Sequence, residues 1–454
     1  MSDILAVDVG TTGFKMGIFN PDLELQQSAE TGYEVNVYGQ GRADIDPDKW
    51  WQAFAGCAAE LREHLPDVTV ISLSVTTPGL VPMDASGTAL GPAILFFDRR
   101  SQAQAARIRQ AVGEEKLLDV ACNLPVTGGS SLCSIMWIHD EQPEVWDATA
   151  KFGHTNTYMI KRLTGEWAID PSTISITGMY NTKEDNLTWF DEVLEKAGLT
   201  PDQLPELMHS YQSAGTVLPE VAREIGVPEE CEVLCGGNDA VLAALSAGLK
   251  EPGEMVDIAG TCEIISICLD EPRGSSNYNI RSHVIPDRWV TLFVLNTGGK
   301  ALEWFHSVFC REMTVDEYYQ QYLPEVIEGF LHDPEIDRRD AALPEYIPYL
   351  QGSRYSLEPL KAGFDGFSLE TTRETFLLCM LKGNFKYMRG HLEEVAEFMT
   401  LQQKMVTTGG GAIIQGMNAL KARWMGEYDY EYQEQSSLLG ATMLGNYYLT
   451  NRFG

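Results

Sequence analysis

A chain of 454 residues, 44% of them hydrophobic, is long enough for two sizeable domains and apolar enough to bury real cores, which excludes a disordered chain. Its 33 basic and 65 acidic side chains leave a formal charge of −32, which argues against nucleic acid as a partner, because phosphate backbones are held by cations. No apolar run approaches the roughly 18 residues that span a bilayer, and no signal peptide is evident, so a cytoplasmic protein without a membrane partner is expected.

The chain opens with ILAVDVGTTGFKMGIFN, residues 4–20, where apolar runs flank a Gly/Thr turn. That pattern predicts a hairpin. Residues 48–64 have helical spacing, with Trp50, Phe54 and Leu61 on one side. Residues 68–76 read as a buried strand, AILFFDRRS as a strand ending at Asp98, and 102–112, 187–197 and 218–225 as helices. CEVLCGGNDAVLAALSAG is a strand, a turn and an Ala-rich helix. Residues 253–269 then repeat the opening logic, with a Gly260-Thr261 turn between two strands. Further on, Gly298-Gly299 opens a helix, and a strand enters Gly409-Gly410-Gly411 and a helix. The tyrosine–acid alternation of EYDYEYQEQ reads as a half-exposed strand. The succession is α/β, with two related lobes divided as 1–247 and 248–454. Nine scattered cysteines without a Cys-x-x-Cys pair point to a reducing compartment.

Glycine turns that leave a strand expose backbone N–H groups, which cradle anions, and threonine hydroxyls add donors. Each turn alone is equally explained by glycine's access to positive φ. Four along one α/β chain, at Gly10-Thr11-Thr12-Gly13, Gly260-Thr261, Gly298-Gly299 and Gly409-Gly410-Gly411, suggest a polyphosphate nucleotide. No G-x-x-x-x-G-K-S/T and no G-x-G-x-x-G occurs in a strand–helix unit, which argues against a P-loop or dinucleotide fold. Asp8 and Asp239 sit at the ends of apolar strands, where a carboxylate can hold Mg²⁺ through water, orient a nucleophile, or, for Asp239, simply cap a helix. Asp98 has Arg99 and Arg100 as ready partners, and Lys15 has a plain reading as a hairpin residue. The eight histidines have no metal spacing.

Taken in order, these stretches resemble the FGGY carbohydrate kinases, most closely the xylulokinase-like branch. DVGTTGFK resembles the first phosphate motif, IDPDKWW the Asp-Pro-x-x-Trp-Trp segment, and SVTTPGLVPMDASGTALGPAILFFDRRS the sugar-site stretch. RLTGEWAIDPSTISITGMY, CGGNDAVLAALSAG, GTCEIISI and VTTGGGA follow as the next landmark, the catalytic-aspartate segment, the second phosphate motif and the adenosine motif. The resemblance implies two actin-like (ribonuclease H-like) lobes with a nucleotide cleft between them. It implies an ATP-dependent kinase acting on a small sugar or polyol, such as a ketopentose or pentitol, with Asp239 as general base. Asp8 would organise Mg²⁺. ATP would take Gly10, Thr11, Thr12, Lys15, Gly260, Thr261, Gly298, Gly299, Gly409, Gly410 and Gly411. The sugar would meet Thr77, Pro78, Asp98, Asn238 and Asp239. A homodimer is one expected assembly.

The departures concern the sugar. Xylulokinases carry Gln-Met-His-Gly where this chain has Thr76-Thr77-Pro78-Gly79, and Pro78 cannot replace the histidine's hydrogen bonds. A Pro-Lys pair near Trp137 is replaced by Cys133-Ser134, and a Lys-Asp pair by Asn156-Thr157. D-xylulose is therefore expected to be a poor substrate. The absence of the Arg-Glu pair of glycerol kinases argues against glycerol as well. A non-catalytic sugar- or nucleotide-binding relative and an actin-like ATPase are the alternatives. Retention of Asp8, Thr11, Asp239, Gly260 and Thr261 counts against the first, and Asp98, Arg100 and Asp239 against the second.

Overall fold

The computed structural model describes residues 3–453, which divide into two compact units. The first comprises Met1–Ser246, Asp270–Val290 and Ser436–Gly454; the second comprises Ala247–Leu269 and Thr291–Gln435. The chain first changes unit at Ser246, but residues 248–454 are not one unit, because two later segments return.

The reason for the last return is burial. In the first unit, Asp3–Val9 and Gly13–Phe19 form the expected antiparallel hairpin, and Val68–Val75 runs parallel to the first of them. The sheet order is Ser213–Thr216, Glu232–Leu234, Val68–Val75, Asp3–Val9, Gly13–Phe19 and Leu25–Gly32. Its central strands are buried on both faces, so both need cover. Helix Asp48–Glu60 covers one face with Trp50, Phe54, Cys57 and Ala58. The C-terminal helix Ser437–Thr450 packs against Asp3–Val9, Val68–Val75 and the helix Asp239–Ser246. A Cβ at Gly440 would lie 2.0 Å from the Leu242 carbonyl oxygen, so the two helices can approach this closely only through glycine. A second, antiparallel sheet is ordered Asn36–Tyr38, Arg42–Ile45, Ala93–Leu95, Gly79–Met83 and Lys151–Gly153.

The second unit repeats the strand pattern. Met255–Ala259 and Glu263–Leu269 form an antiparallel hairpin, and Lys404–Thr408 runs parallel to the first strand. Asp429–Tyr432 then runs parallel to Lys404–Thr408, as Glu232–Leu234 runs parallel to Val68–Val75 in the first unit.

Several boundaries differ from expectation. The strand before Asp98 spans only Ala93–Leu95, because the chain turns there and the Asp98 N–H donates to the Leu95 carbonyl at 2.9 Å. The helix from Asp48 stops at Glu60, with Leu61 closing onto Cys57. The helix expected from 187 starts at Asp191, since Leu187 has φ 59°. Gly409-Gly410-Gly411 does not open a helix; the next one is Met417–Trp424, entered through Gly416 at φ 79°.

Candidate active site

In the first unit the opening turn is closed by its own backbone and by Tyr33. The Gly10 N–H donates to the Gly13 carbonyl at 2.9 Å. The Tyr33 hydroxyl lies 2.5 Å from the Gly10 carbonyl and 3.2 Å from that of Gly13. Thr11 is half-buried, Thr12 exposed, and the two threonine hydroxyls of Thr11 and Thr76 are 3.0 Å apart. Asp8 accepts from the Ser74 hydroxyl at 2.6 Å. Burial raises its carboxyl above the ordinary range, against the hydroxyls of Ser74 and Ser437 and the charge of Lys15. Lys15 is mostly exposed, opposite Asp8 in the hairpin register and 3.8 Å from Glu30.

Asp239 begins its helix and is partly exposed. The capping bond expected of it belongs to Asn238, whose Oδ1 accepts from the Val241 N–H at 3.2 Å. The Asn238 amide donates both to Asp239 Oδ1 at 2.9 Å and to Thr77 Oγ1 at 2.8 Å. Burial, and then the negative charge of Asp8, push the Asp239 carboxyl up to about 7; Arg281 and the neighbouring donors pull the other way. Thr77 is buried, as is Pro78.

Asp98 is enclosed by its own neighbours. It is 0% exposed. One oxygen accepts from the Arg100 backbone N–H at 2.8 Å, the other from the Ala43 N–H at 2.6 Å, and the Arg100 side chain spans both. Arg100 is held further by Asp44 at 3.0 Å and lies over the Trp137 ring. The aspartate braces the loop between Ala43 and Arg100.

In the second unit the other three glycine turns converge. Gly299 N–H donates to the Gly260 carbonyl at 2.9 Å, Lys300 N–H to Thr261 at 3.1 Å, and Gly411 N–H to Ala259 at 2.8 Å. A Cβ at Gly298 would meet the Glu263 nitrogen at 2.6 Å, and one at Gly409, which has φ +87°, would meet the Ala259 oxygen at 2.7 Å. Gly410 alone of the three faces open space. Behind this turn lies a buried triad. Lys421, 1% exposed, is hydrogen-bonded to Asp257 and lies 2.7 Å from Glu263. Burial raises the Asp257 carboxyl against the pull of Lys421, and the two carboxylates more than offset the burial that disfavours the ammonium.

Residues 3–246 match the model of the N-terminal domain of the FGGY family of carbohydrate kinases, more than half of the chain. The chain belongs to that family. It is 25% identical over 418 residues to a xylulose kinase of Staphylococcus xylosus, covering 91% of this chain and 83% of that one. It is 26% identical over 453 residues to a gluconokinase of Bacillus subtilis, covering 98% and 87%. A solved xylulose kinase from Rhodospirillum rubrum superposes with a TM-score of 0.89 at 21% identity, over 98% of this chain and 89% of that one. This last likeness shows the fold, that of FGGY kinases with their two actin-like lobes. Kinases of this family phosphorylate sugars with ATP and a metal. Among the described residues, no helix is long and apolar enough to cross a membrane.

Sequence reasoning missed Ser74, Thr76, Arg281 and the Lys421 triad. Ser74 and Thr76 carry a signal in retrospect, as hydroxyls at the end of an apolar strand. Arg281 and Lys421 carry none, because their partners are more than a hundred residues away.

Proposed function

We propose that this FGGY kinase transfers the γ-phosphoryl group of ATP to a hydroxyl of a small sugar or polyol, with Asp239 as general base. The carrying observation is Asp239 itself: partly exposed, oriented by Asn238, and with a proton affinity raised to about 7. A base near neutrality both accepts a proton and exists in the accepting form. Its carboxylate would take the hydroxyl proton as the sugar oxygen attacks phosphorus in line and ADP leaves.

The phosphates are assigned to Gly10, Thr11, Thr12 and Lys15 and to the turn at Gly260 and Thr261. Gly298, Gly299, Gly409 and Gly411 shape that second turn, since the Gly299 and Gly411 amides are used internally. Gly410 is the position left open to nucleotide. The first unit fits a hard cation at Asp8, a half-buried carboxylate that a positive charge would relieve. No group of three His, Cys, Asp or Glu among the described residues could hold an ion alone. Asp8 would therefore hold Mg²⁺ through water together with phosphate oxygens. When bound, the ion neutralises charge on the β- and γ-phosphates. The sugar is assigned to Thr77, Asn238 and Asp239 beside Pro78, in a cytoplasmic enzyme, monomeric or homodimeric, with no nucleic acid or membrane partner.

A panel of pentuloses, pentitols and sugar acids, including D-xylulose and D-gluconate, tests the reading by ADP release with Mg-ATP. At least one member should be turned over, with D-xylulose among the weak ones, because polar groups left unmet in a built site cost several orders of magnitude. Turnover of none would overturn the kinase reading. D-xylulose as the best substrate would overturn the weight placed on Pro78.

The raised carboxyl sets a pH dependence. Asp239 is active only when ionised, so kcat/KM, which reports the free enzyme, should rise up to tenfold per pH unit below about 7 and level off above it. A profile flat from about pH 5.5 to 8.5 would remove Asp239 from proton transfer.

A further inference from the structure

Arg281 belongs to the segment Asp270–Val290, which rejoins the first unit after the chain has already entered the second. Its side chain is 4% exposed, which costs free energy for any guanidinium and asks for a reason. Nη1 donates to the Ser172 carbonyl at 2.8 Å and to Thr77 Oγ1 at 3.2 Å; Nη2 donates to the Thr77 carbonyl at 3.3 Å. Thr77 Oγ1 also accepts from the Asn238 amide, whose nitrogen in turn donates to Asp239 Oδ1. Ser172 closes the circuit from the other side, because its hydroxyl accepts from the Asn238 backbone N–H at 2.9 Å. That hydroxyl donates to Asp170 at 2.5 Å, and Asp170 also accepts from Ser210 at 2.9 Å and Asn156 at 3.1 Å. Both residues gripped by Arg281 therefore hold Asn238, one at its side chain and one at its backbone.

We propose that Arg281 is a positioning residue for catalysis: its planar fork locks Thr77 and Ser172, which together fix Asn238 and thereby aim the Asp239 carboxylate at the sugar hydroxyl. The fork geometry matters as well as the charge. Lysine is a point charge and cannot span the Thr77 and Ser172 carbonyls in the same way. A catalytic group displaced by about 1 Å can lose on the order of 10²-fold in rate.

The inference rests on Asp239 being the base, so the experiment carries an Asp239→Asn control. Wild type, Asp239→Asn, Arg281→Lys, Arg281→Gln, Thr77→Val and the double Arg281→Gln/Thr77→Val are assayed with ATP on D-xylulose and D-gluconate, using whichever is turned over faster. Arg281→Lys, Arg281→Gln and Thr77→Val should each lower kcat by about 10²-fold with the KM for ATP unchanged. The double variant should be no worse than the poorer single, since both cut one linkage. Additive losses, an unchanged kcat in Arg281→Gln, or full recovery with lysine would overturn the proposal. Activity retained in Asp239→Asn would instead overturn the assignment of the base. A crystal structure of Arg281→Gln needs no substrate and reads the same point: the Asn238 amide should leave Asp239. An Asn238–Asp239 pair unmoved in that variant would also overturn it.

Discussion

Asp239→Asn should abolish sugar phosphorylation, with kcat down by about 10²–10⁴-fold, while ATP still binds with near-normal affinity. The amide keeps the shape and can still sit beside Asn238, but it cannot accept a proton. The Asp239 carboxylate is held by the Asn238 amide and the Ala240 N–H rather than by the glycine turns, so nucleotide affinity has no reason to follow. The same substitution carries a stability signature. The carboxyl ordinarily titrates near 3.8 and is raised to about 7 in the folded protein. Between those values the folded state holds a proton that the unfolded chain has lost, so this group's contribution to stability falls as the pH rises. The asparagine protein should therefore lose less stability than wild type between about pH 4 and 7. Urea unfolding across that range measures it. A variant that binds no ATP while folded would move Asp239 to the nucleotide or metal, and wild-type turnover would remove it from the reaction.

Lys421→Ala should be the most damaging single change to the second unit, at about 3–5 kcal/mol. Lys421, Asp257 and Glu263 are almost wholly buried, and the ammonium is the cation that both carboxylates share. Removing it leaves two negative charges in a dry interior, behind the turn at Gly260. Those carboxylates would then be driven to protonate, so the deficit should be largest at alkaline pH and shrink as the pH falls. Replacing all three residues together by apolar ones, as in Lys421→Met/Asp257→Leu/Glu263→Met, should restore much of the loss, because no unpaired charge remains. Thermal unfolding at two pH values distinguishes these outcomes. A single variant as stable as wild type would mean that water reaches the triad.

The hairpins were legible because a tight turn is written in adjacent residues: Gly10 to Gly13 and Gly260 with Thr261 specify both the reversal and the donors. The repeat was legible for the same reason, and the structure extends it to strands such as Lys404–Thr408 that nothing in the local pattern links to Met255–Ala259. Asp98 shows the opposite case. A carboxylate after an apolar run reads as a site residue, yet its oxygens are taken by Ala43 and Arg100. Only the register of a separate sheet reveals that. The cap was misassigned between neighbours, since Asn238 and Asp239 are both good capping residues and the choice depends on a rotamer. Arg281 was invisible because its role is set by Thr77, more than two hundred residues earlier.

The two later returns of the chain make the first unit a product of the whole message. Its central sheet is not covered until Ser437–Thr450 arrives, and that helix lies roughly 190 residues beyond Ser246, where the chain first leaves the unit. A ribosome adding about 5–20 residues per second would hold the sheet incomplete for some 10–40 s while the second unit is made. The second unit, built from a stretch interrupted only by Asp270–Val290, can close earlier. Synthesis order and completion order are thereby reversed: the part made first is finished last. A chain cut short by even its final helix would leave an apolar sheet face bare, and the cell would meet it as a substrate for chaperones and proteases rather than as half an enzyme.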